Sequence, residues 1–298
     1  MRGLVDLHIH SNKSSDGDFT PFHLVRLARE CGFQAISIAD HDTVAAYPKA
    51  VEYGEKDGVE VVPNIELTTL FDDREFHLLL PFVDWKSRVL HSLIKRIYKR
   101  RIEEGQERVN RLKKLDFDIN WKRVTGKTGA NPPLGVTIAQ VLLEDAGEKD
   151  SRLKKYLEGN NRDFAPYFFY RDYFMTGKPA FVPKKNIDLL EVMDEVPQTG
   201  GVPVLAHPGA YFQLAQEEDI KRLKEAGLQG MEVYTSYHDE EQTVFYKKLA
   251  EDLDLVPTAG SDFHGRVKPH ITFGSMKKGE YWMVEELLKR KKNEHELG

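Results

Sequence analysis

The 298-residue chain contains one cysteine, Cys31, which excludes an internal disulfide framework and fits a reducing compartment. It also lacks any apolar run near the ~20 residues that a bilayer-spanning helix needs. The opening MRGLVDLHIH has no apolar stretch of the secretory-signal kind, so the expected compartment is the cytoplasm. An excess of positive charge is missing too. Lys and Arg total 43 against 48 Asp and Glu, a net of −5, which excludes attraction of nucleic acid or acidic membranes by the surface as a whole. There is no Gly-x-Ser-x-Gly nucleophile elbow and no GxxxxGK[ST] phosphate loop, so the usual signatures of a serine hydrolase and of a P-loop enzyme are both absent. With 40% hydrophobic and 31% charged residues, composition points to an ordinary globular enzyme. Its length suits two domains or one large α/β barrel with an insertion.

What is present first is alternation. From Gly3 to His10, Val5, Leu7 and Ile9 share one face of a strand, with Asp6, His8 and His10 on the other. Thr20-Pro21 reads as a helix N-cap followed by proline, and Gly32 as the stop after Cys31. Ala35–Asp40, Val59–Leu67, Phe76–Val83, Val202–Ala206, Gly230–Tyr234 and Leu255–Gly260 are further β-rich runs, with helices near 44–56, 216–226 and 238–252. Seven strands with mostly helical crossovers favour a barrel-like α/β fold.

Between residues 86 and 177 the alternation stops, and an amphipathic pattern at Leu90, Leu93, Ile94 and Ile97 opens a segment read as an inserted helical cap. Residues 86–114 carry eleven Lys or Arg and three Glu, a net of +8, leaving −13 for the rest. These cations either solvate a helix face or draw a polyanion toward an acidic site. The aromatic run Tyr167, Phe168, Phe169, Tyr170, Tyr173 and Phe174 reads as cap packing, with base stacking as the alternative.

The residues suited to chemistry stand near the ends of these strands: His8, His10, Asp16, His41, Glu66, His77, His207, Asp262 and His264. A single His-x-His pair means little. Joined by Ala39-Asp40-His41-Asp42-Thr43, Ala206-His207-Pro208-Gly209 and Gly260-Ser261-Asp262-Phe263-His264, it predicts two or more divalent ions. These would offset carboxylate repulsion and use the imidazole lone pairs where burial would otherwise be costly. Asp40 and Asp42 are candidates either to orient ligand imidazoles from outside the coordination sphere or to cap the following helix.

The ordered set HxH, SDG with TP, ADHDT, an isolated Glu, an isolated His, AHPG and GSDFH resembles the polymerase and histidinol phosphatase (PHP) family over residues 1–85 and 180–270. The resemblance implies a distorted (β/α)7 barrel, residues 1–85 and 178–298, interrupted by a mainly helical cap domain at 86–177. It implies two to three ions of manganese, zinc or iron type: the first held by His8, His10, Glu66 and Asp262, the second by Glu66, His77 and His207, the third by Asp16, His41 and His264. The loop after His10 is one residue longer than the pattern, leaving Asp16 and Asp18 as candidates, with Asp16 preferred for its Ser-Asp-Gly context. The insert resembles the subgroup acting on nucleoside 3′,5′-bisphosphates or trimming RNA 5′ ends. That subgroup's Arg and His just before Ile138-Ala139-Gln140 are replaced here by Gly135 and Thr137. Arg123, Lys127, Lys184 and Lys185 are candidate replacements, with His238 and His270 candidates for the substrate mouth.

The expected activity is hydrolysis of a phosphate monoester of a small molecule, such as a nucleotide, by metal-bound hydroxide. The alternatives are 5′–3′ exonuclease action on short RNA or DNA, and a non-catalytic metal-stabilised accessory module. No membrane partner is expected.

Overall fold

The computed structural model describes residues 3–129, 131–146, 149–158, 164–276 and 278–297, the last six without their side chains. It divides into two units, Met1–Lys95 with Ile187–Gly298, and Arg96–Asn186. The end of the strand–helix alternation set the insert at 86–177; one uninterrupted helix, Arg88–Lys114, begins in the first unit and ends in the second.

Strand β1 (Leu4–Ile9) has its two faces as the alternation predicts, and both are buried. Thr20 accepts a hydrogen bond from His23 N and caps α1 (Pro21–Glu30). Strand β2 (Phe33–Ile38) returns parallel to β1, α2 (Tyr47–Asp57) closes on Gly58 at φ +71°, and β3 (Glu60–Val61) pairs parallel with β2.

The run Val59–Leu67, read as one strand, is two. Pro63 has no N–H for a ladder, and the Asn64 carboxamide bonds Ile65 N and Leu7 O. Here the chain leaves β2 and enters β4 (Glu66–Phe71), with an isolated parallel bridge between His41 and Glu66 at the bend. Strand β4 turns directly into β5 (Arg74–Leu79) through Asp72-Asp73, both at positive φ (49° and 60°), the twist that a two-residue hairpin requires. Strand β5 is therefore antiparallel to both β4 and β7 (Val204–Leu205), a reversal the alternation of strands and helices did not predict.

The strands form two sheets, β1-β2-β3 and β6 (Ile187–Asp188)-β4-β5-β7-β8 (Gly230–Thr235)-β9 (Val256–Gly260). Bridges between Ile9 and Phe263 and between His41 and Glu66 link them. Val5, Leu7, Ala35, Val204 and Val256 pack with Met283, Val284 and Leu287 of the C-terminal helix, Trp282–Leu297. Ile9, Ile36 and Ile38 pack with Leu24, Val25 and Ala28 of α1. Each larger aliphatic side chain buried in this way contributes about 1.5–3 kcal/mol. The two apolar layers hold β1 and β2 rigidly at the end where the polar residues emerge.

The second unit is helical, comprising the later turns of α3 (Arg88–Lys114), α4 (Trp121–Thr128), α5 (Gly135–Ala146), α6 (Ser151–Leu157) and α7 (Ala165–Tyr173). It has its own core of Val109, Leu112, Ile138, Leu142, Phe169 and Phe174. Phe169 stacks on Tyr173 at 4.3 Å between centroids. The aromatic run thus supplies core packing, while Tyr167 remains half exposed.

Candidate metal centre

The nine residues singled out from sequence converge in the first unit. His8 and His10 come from β1 and the residue after it, His41 from beyond β2, Glu66 from the start of β4 and His77 from β5. His207 follows β7, and Asp262 and His264 follow β9. Reversal of β5 brings His77 back to Glu66, with Nδ1 2.8 Å from Oε1. His207 Nε2 lies 3.0 Å from that same oxygen. Glu66 Oε2 faces the other way, 3.2 Å from Nε2 of both His8 and His10 and 3.1 Å from His41 Nδ1. One carboxylate is therefore approached by five imidazoles.

Asp262 stands at φ +57° and directs Oδ1 to His10 Nε2 at 3.0 Å and His8 Nε2 at 3.4 Å. Asp16 Oδ2 lies 3.6 Å from His41 Nε2 and 3.5 Å from His264 Nε2. Asp18 is elsewhere, paired with Arg266 Nε at 2.6 Å and Nη2 at 2.7 Å. Three groups of donor atoms close enough to share an ion result: His8, His10, Glu66 and Asp262; His10, Asp16, His41 and His264; and His41, Glu66 and His77.

The imidazoles are oriented from behind. His8 Nδ1 is 3.1 Å from both Glu232 oxygens, leaving the Nε2 lone pair to face Glu66 and Asp262. His264 Nδ1 donates to the Asp262 carbonyl at 2.8 Å, leaving Nε2 toward Asp16. Glu232 Oε2 also accepts from His207 N at 2.8 Å. A Cβ on Gly260 would come within 2.0 Å of Glu232 Oε1 and 2.3 Å of His8 Cβ, so only glycine permits this approach.

Burial opposes charge throughout the cluster, and attraction between its members outweighs burial at Glu66, Asp262 and His10. Glu66 is held well below the usual carboxylate range: burial would raise it, but His41, His8 and His77 outweigh that effect. Asp262 is likewise low, its burial offset first by Lys268 and then by His264 and His8. His10 is raised to about 9 because Asp262 and Glu66 overcome burial, whereas burial dominates at His41 and lowers it to about 3.

The donor set fits divalent ions. Buried His41 Nδ1, Glu66 Oε2, Asp262 Oδ1 and His264 Nε2, atoms that face other donors of the cluster, make no well-formed hydrogen bond, a state that costs about 1–3 kcal/mol per group when nothing compensates. Many donor separations within the cluster are 3.0–3.5 Å. Ligands about 2.1 Å from a common ion stand about 3.0–3.4 Å apart.

Other candidates lie outside the cluster. Asp40 bonds Ser11 N and Oγ, each at 2.6 Å, and so holds the chain after His10 rather than an imidazole. Burial raises its carboxyl to about 6. Asp42 accepts from Thr68 N at 2.9 Å. The cap of α2 is Ala46, so neither aspartate caps that helix. His238 has both ring nitrogens on backbone, Nδ1 toward Val233 O and Nε2 accepting from Gly209 N, which leaves neither for a substrate. His270 is exposed. In the second unit Lys185 pairs with Glu107, Arg123 with Asp145 and Lys127 with Glu144; Lys184 is also partnered. A Cβ at Gly135 would meet Tyr170 at 2.6 Å and Arg108 Nη1 at 2.7 Å, which explains why no arginine occupies that position.

Three contributors were not foreseen: Glu232, Tyr237 and Lys268. Glu232 had a readable signal, a lone carboxylate inside the apolar strand Gly-Met-Glu-Val. Tyr237 and Lys268 sit in loops and had none.

The PHP domain model matches residues 6–162, more than half of the chain, and the chain belongs to that family. It is a metal-dependent phosphoesterase in class. It is 29% identical to the phosphoribosyl 1,2-cyclic phosphate 1,2-diphosphodiesterase of Eggerthella lenta, covering 91% of this chain and 98% of that one. It is 26% identical to the 5′-3′ exoribonuclease Rnm of Salmonella typhimurium, covering 88% and 85%. Among solved structures, a protein of Bifidobacterium adolescentis described as a metal-dependent phosphoesterase superposes with a TM-score of 0.77 at 28% identity, covering 96% of both chains.

Proposed function

We propose that this chain releases phosphate from a small phosphorylated molecule, of which a nucleoside 3′,5′-bisphosphate is the foremost candidate. Two to three ions of manganese, zinc or iron would be held by His8, His10, Asp16, His41, Glu66, His77, His207, Asp262 and His264. The observation that carries the reading is Glu66, whose two oxygens meet five imidazoles from distant segments, beside buried donor atoms that make no well-formed hydrogen bond.

When bound, the ions supply an activated water and neutralise the phosphate's charge. The chain's own residues set the geometry. Glu66 ties the two halves of the cluster, Glu232 fixes the tautomer and angle of His8, and the Asp262 carbonyl does the same for His264. Layers of apolar side chains behind β1 and β2 keep these groups in place without rearrangement.

Residues 1–85 and 178–298 are read as a distorted (β/α)7 barrel, and 86–177 as its cap. Following the bridges Ile9–Phe263 and His41–Glu66 around β1, β2, β4, β5, β7, β8 and β9 supports the barrel. A cytoplasmic location accords with the single cysteine and with the absence of a membrane-length apolar helix among the described residues.

The test is phosphate release by manganese-loaded protein from a nucleoside 3′,5′-bisphosphate, a nucleoside 5′-monophosphate and a short 5′-phosphorylated RNA. Preference for the bisphosphate is expected. Release of mononucleotides from the RNA, falling steeply with salt as phosphate contacts are screened, would favour the exonuclease reading, which the Rnm relative and the basic stretch 86–114 support. Inactivity on all three would overturn the proposal.

A further inference from the structure

Asp262 is two-sided. While Oδ1 faces the imidazoles, Oδ2 accepts Lys268 Nζ at 2.5 Å and the Tyr237 hydroxyl at 2.8 Å, and Lys268 also donates to the Tyr237 oxygen at 2.7 Å. Pro269 follows Lys268 and disfavours helical backbone there; Lys268 sits at φ −121°, ψ 73°, directly after the 3-10 turn Gly265–Val267. An ammonium therefore stands at the rim of the cluster, in a triangle with a phenol and a carboxylate.

An ammonium has three N–H donors, and these contacts use two. The Lys268 side chain is 26% exposed where Asp262 is 2% exposed, so the group has an open side that its carboxylate partner lacks. Two ligands of one ion stand about 3 Å apart. An anion bound to the ion that Asp262 would help to hold therefore comes within reach of Nζ after a small movement of a flexible four-carbon stem.

We propose that Lys268 is a substrate-binding residue of this site, its ammonium taking a nonbridging oxygen of the substrate phosphate while Tyr237 and Asp262 hold it in place. The inference rests on the phosphoesterase reading above and adds the cation that grips the phosphate. It replaces the lysines of the second unit, Lys184 and Lys185, in that role.

The experiment compares wild type, Lys268→Met, Lys268→Arg and Tyr237→Phe, each loaded with manganese. It measures bound manganese per chain, calorimetric affinity for inorganic phosphate, and kcat and KM for the best ester. Lys268→Met is expected to weaken phosphate binding and raise KM by about tenfold or more, the loss of one charge-assisted hydrogen bond, with manganese content unchanged. Lys268→Arg should restore part of the affinity. Tyr237→Phe, which keeps the ammonium but removes one of its two anchors, should weaken phosphate binding less than Lys268→Met does. Wild-type phosphate affinity in Lys268→Met overturns the inference, as does a loss of manganese with KM unchanged, which would confine Lys268 to orienting Asp262. If wild type itself neither binds phosphate nor hydrolyses any ester, the phosphoesterase reading falls first and this inference with it.

Discussion

Glu232 sets both carboxylate oxygens 3.1 Å from His8 Nδ1, although 224 positions separate the two residues in the chain. The contact decides which nitrogen of His8 carries the proton and which faces the cluster. Replacing Glu232 by glutamine keeps the shape and removes the charge. Metal affinity is expected to fall about 10- to 100-fold with the far-UV circular dichroism unchanged. Titration with a competing chelator measures it; unchanged affinity would mean that Glu232 has no orienting role.

His8→Ala removes a donor of the group that also holds His10, Glu66 and Asp262. Because losing a ligand exceeds losing an outer partner, phosphate release should drop to below about one hundredth of wild type. The opposite face of β1, with Val5, Leu7 and Ile9, still packs, so the variant should stay folded. Full activity in folded His8→Ala would remove His8 from the proposed ligand set.

Dependence on pH follows from His10 and His77. Without metal both stand at about 9 against an ordinary 6.5: burial disfavours their charge, but Asp262 and Glu66 at His10, and Glu66 and Glu75 at His77, outweigh it. A raised folded-state value stabilises the metal-free fold fully below about pH 6.5, and the benefit is lost as pH rises through 9. Ion binding needs the neutral imidazoles and moves in the opposite direction. The gap in Tm between manganese-loaded and metal-free protein should therefore widen from pH 6.5 to 9. A gap that narrows over that interval would contradict the assignment.

Gly260→Ala tests the packing behind the cluster. Its methyl group would press on Glu232 Oε1 and His8 Cβ at 2.0 and 2.3 Å. Strand β9 or β8 must shift, a clash of the overpacking type that costs about 1–3 kcal/mol. Both Tm and metal affinity are expected to fall together; a wild-type affinity would show that the site tolerates displacement of Glu232.

Much of this was readable because two local rules overlap. Alternation in β1 separates Val5, Leu7 and Ile9 from Asp6, His8 and His10, and Thr20-Pro21 and Gly32 mark the ends of a helix; the structure has both. The nine polar residues were visible because such groups are costly to bury without a shared purpose. The bend at Pro63 was missed although Pro63-Asn64 is a strand-breaking pair, because apolar residues on both sides, Val61, Val62 and Ile65, read as one run; the β4–β5 hairpin was missed because Asp72-Asp73 lacks the glycine that usually announces a two-residue turn. Tyr237 and Lys268 act through contacts with no local trace, while Glu232 left one, a lone carboxylate in an apolar strand. Conversely, Lys185, Arg123 and Lys127 looked available in sequence because their partners, Glu107, Asp145 and Glu144, lie 17 or more positions away.

The reach of the cluster along the chain also gives it a place in time. His8, His10, His41, Glu66 and His77 are synthesised first, whereas His207, Asp262 and His264 are added near the end. A nascent chain thus offers only a partial, weaker set of donors, and full coordination waits until the last strand has closed against the first through Ile9 and Phe263. The donor groups around Glu66 and Asp16 are therefore whole only once the segment that carries Asp262 and His264 has been made and has met the end of β1.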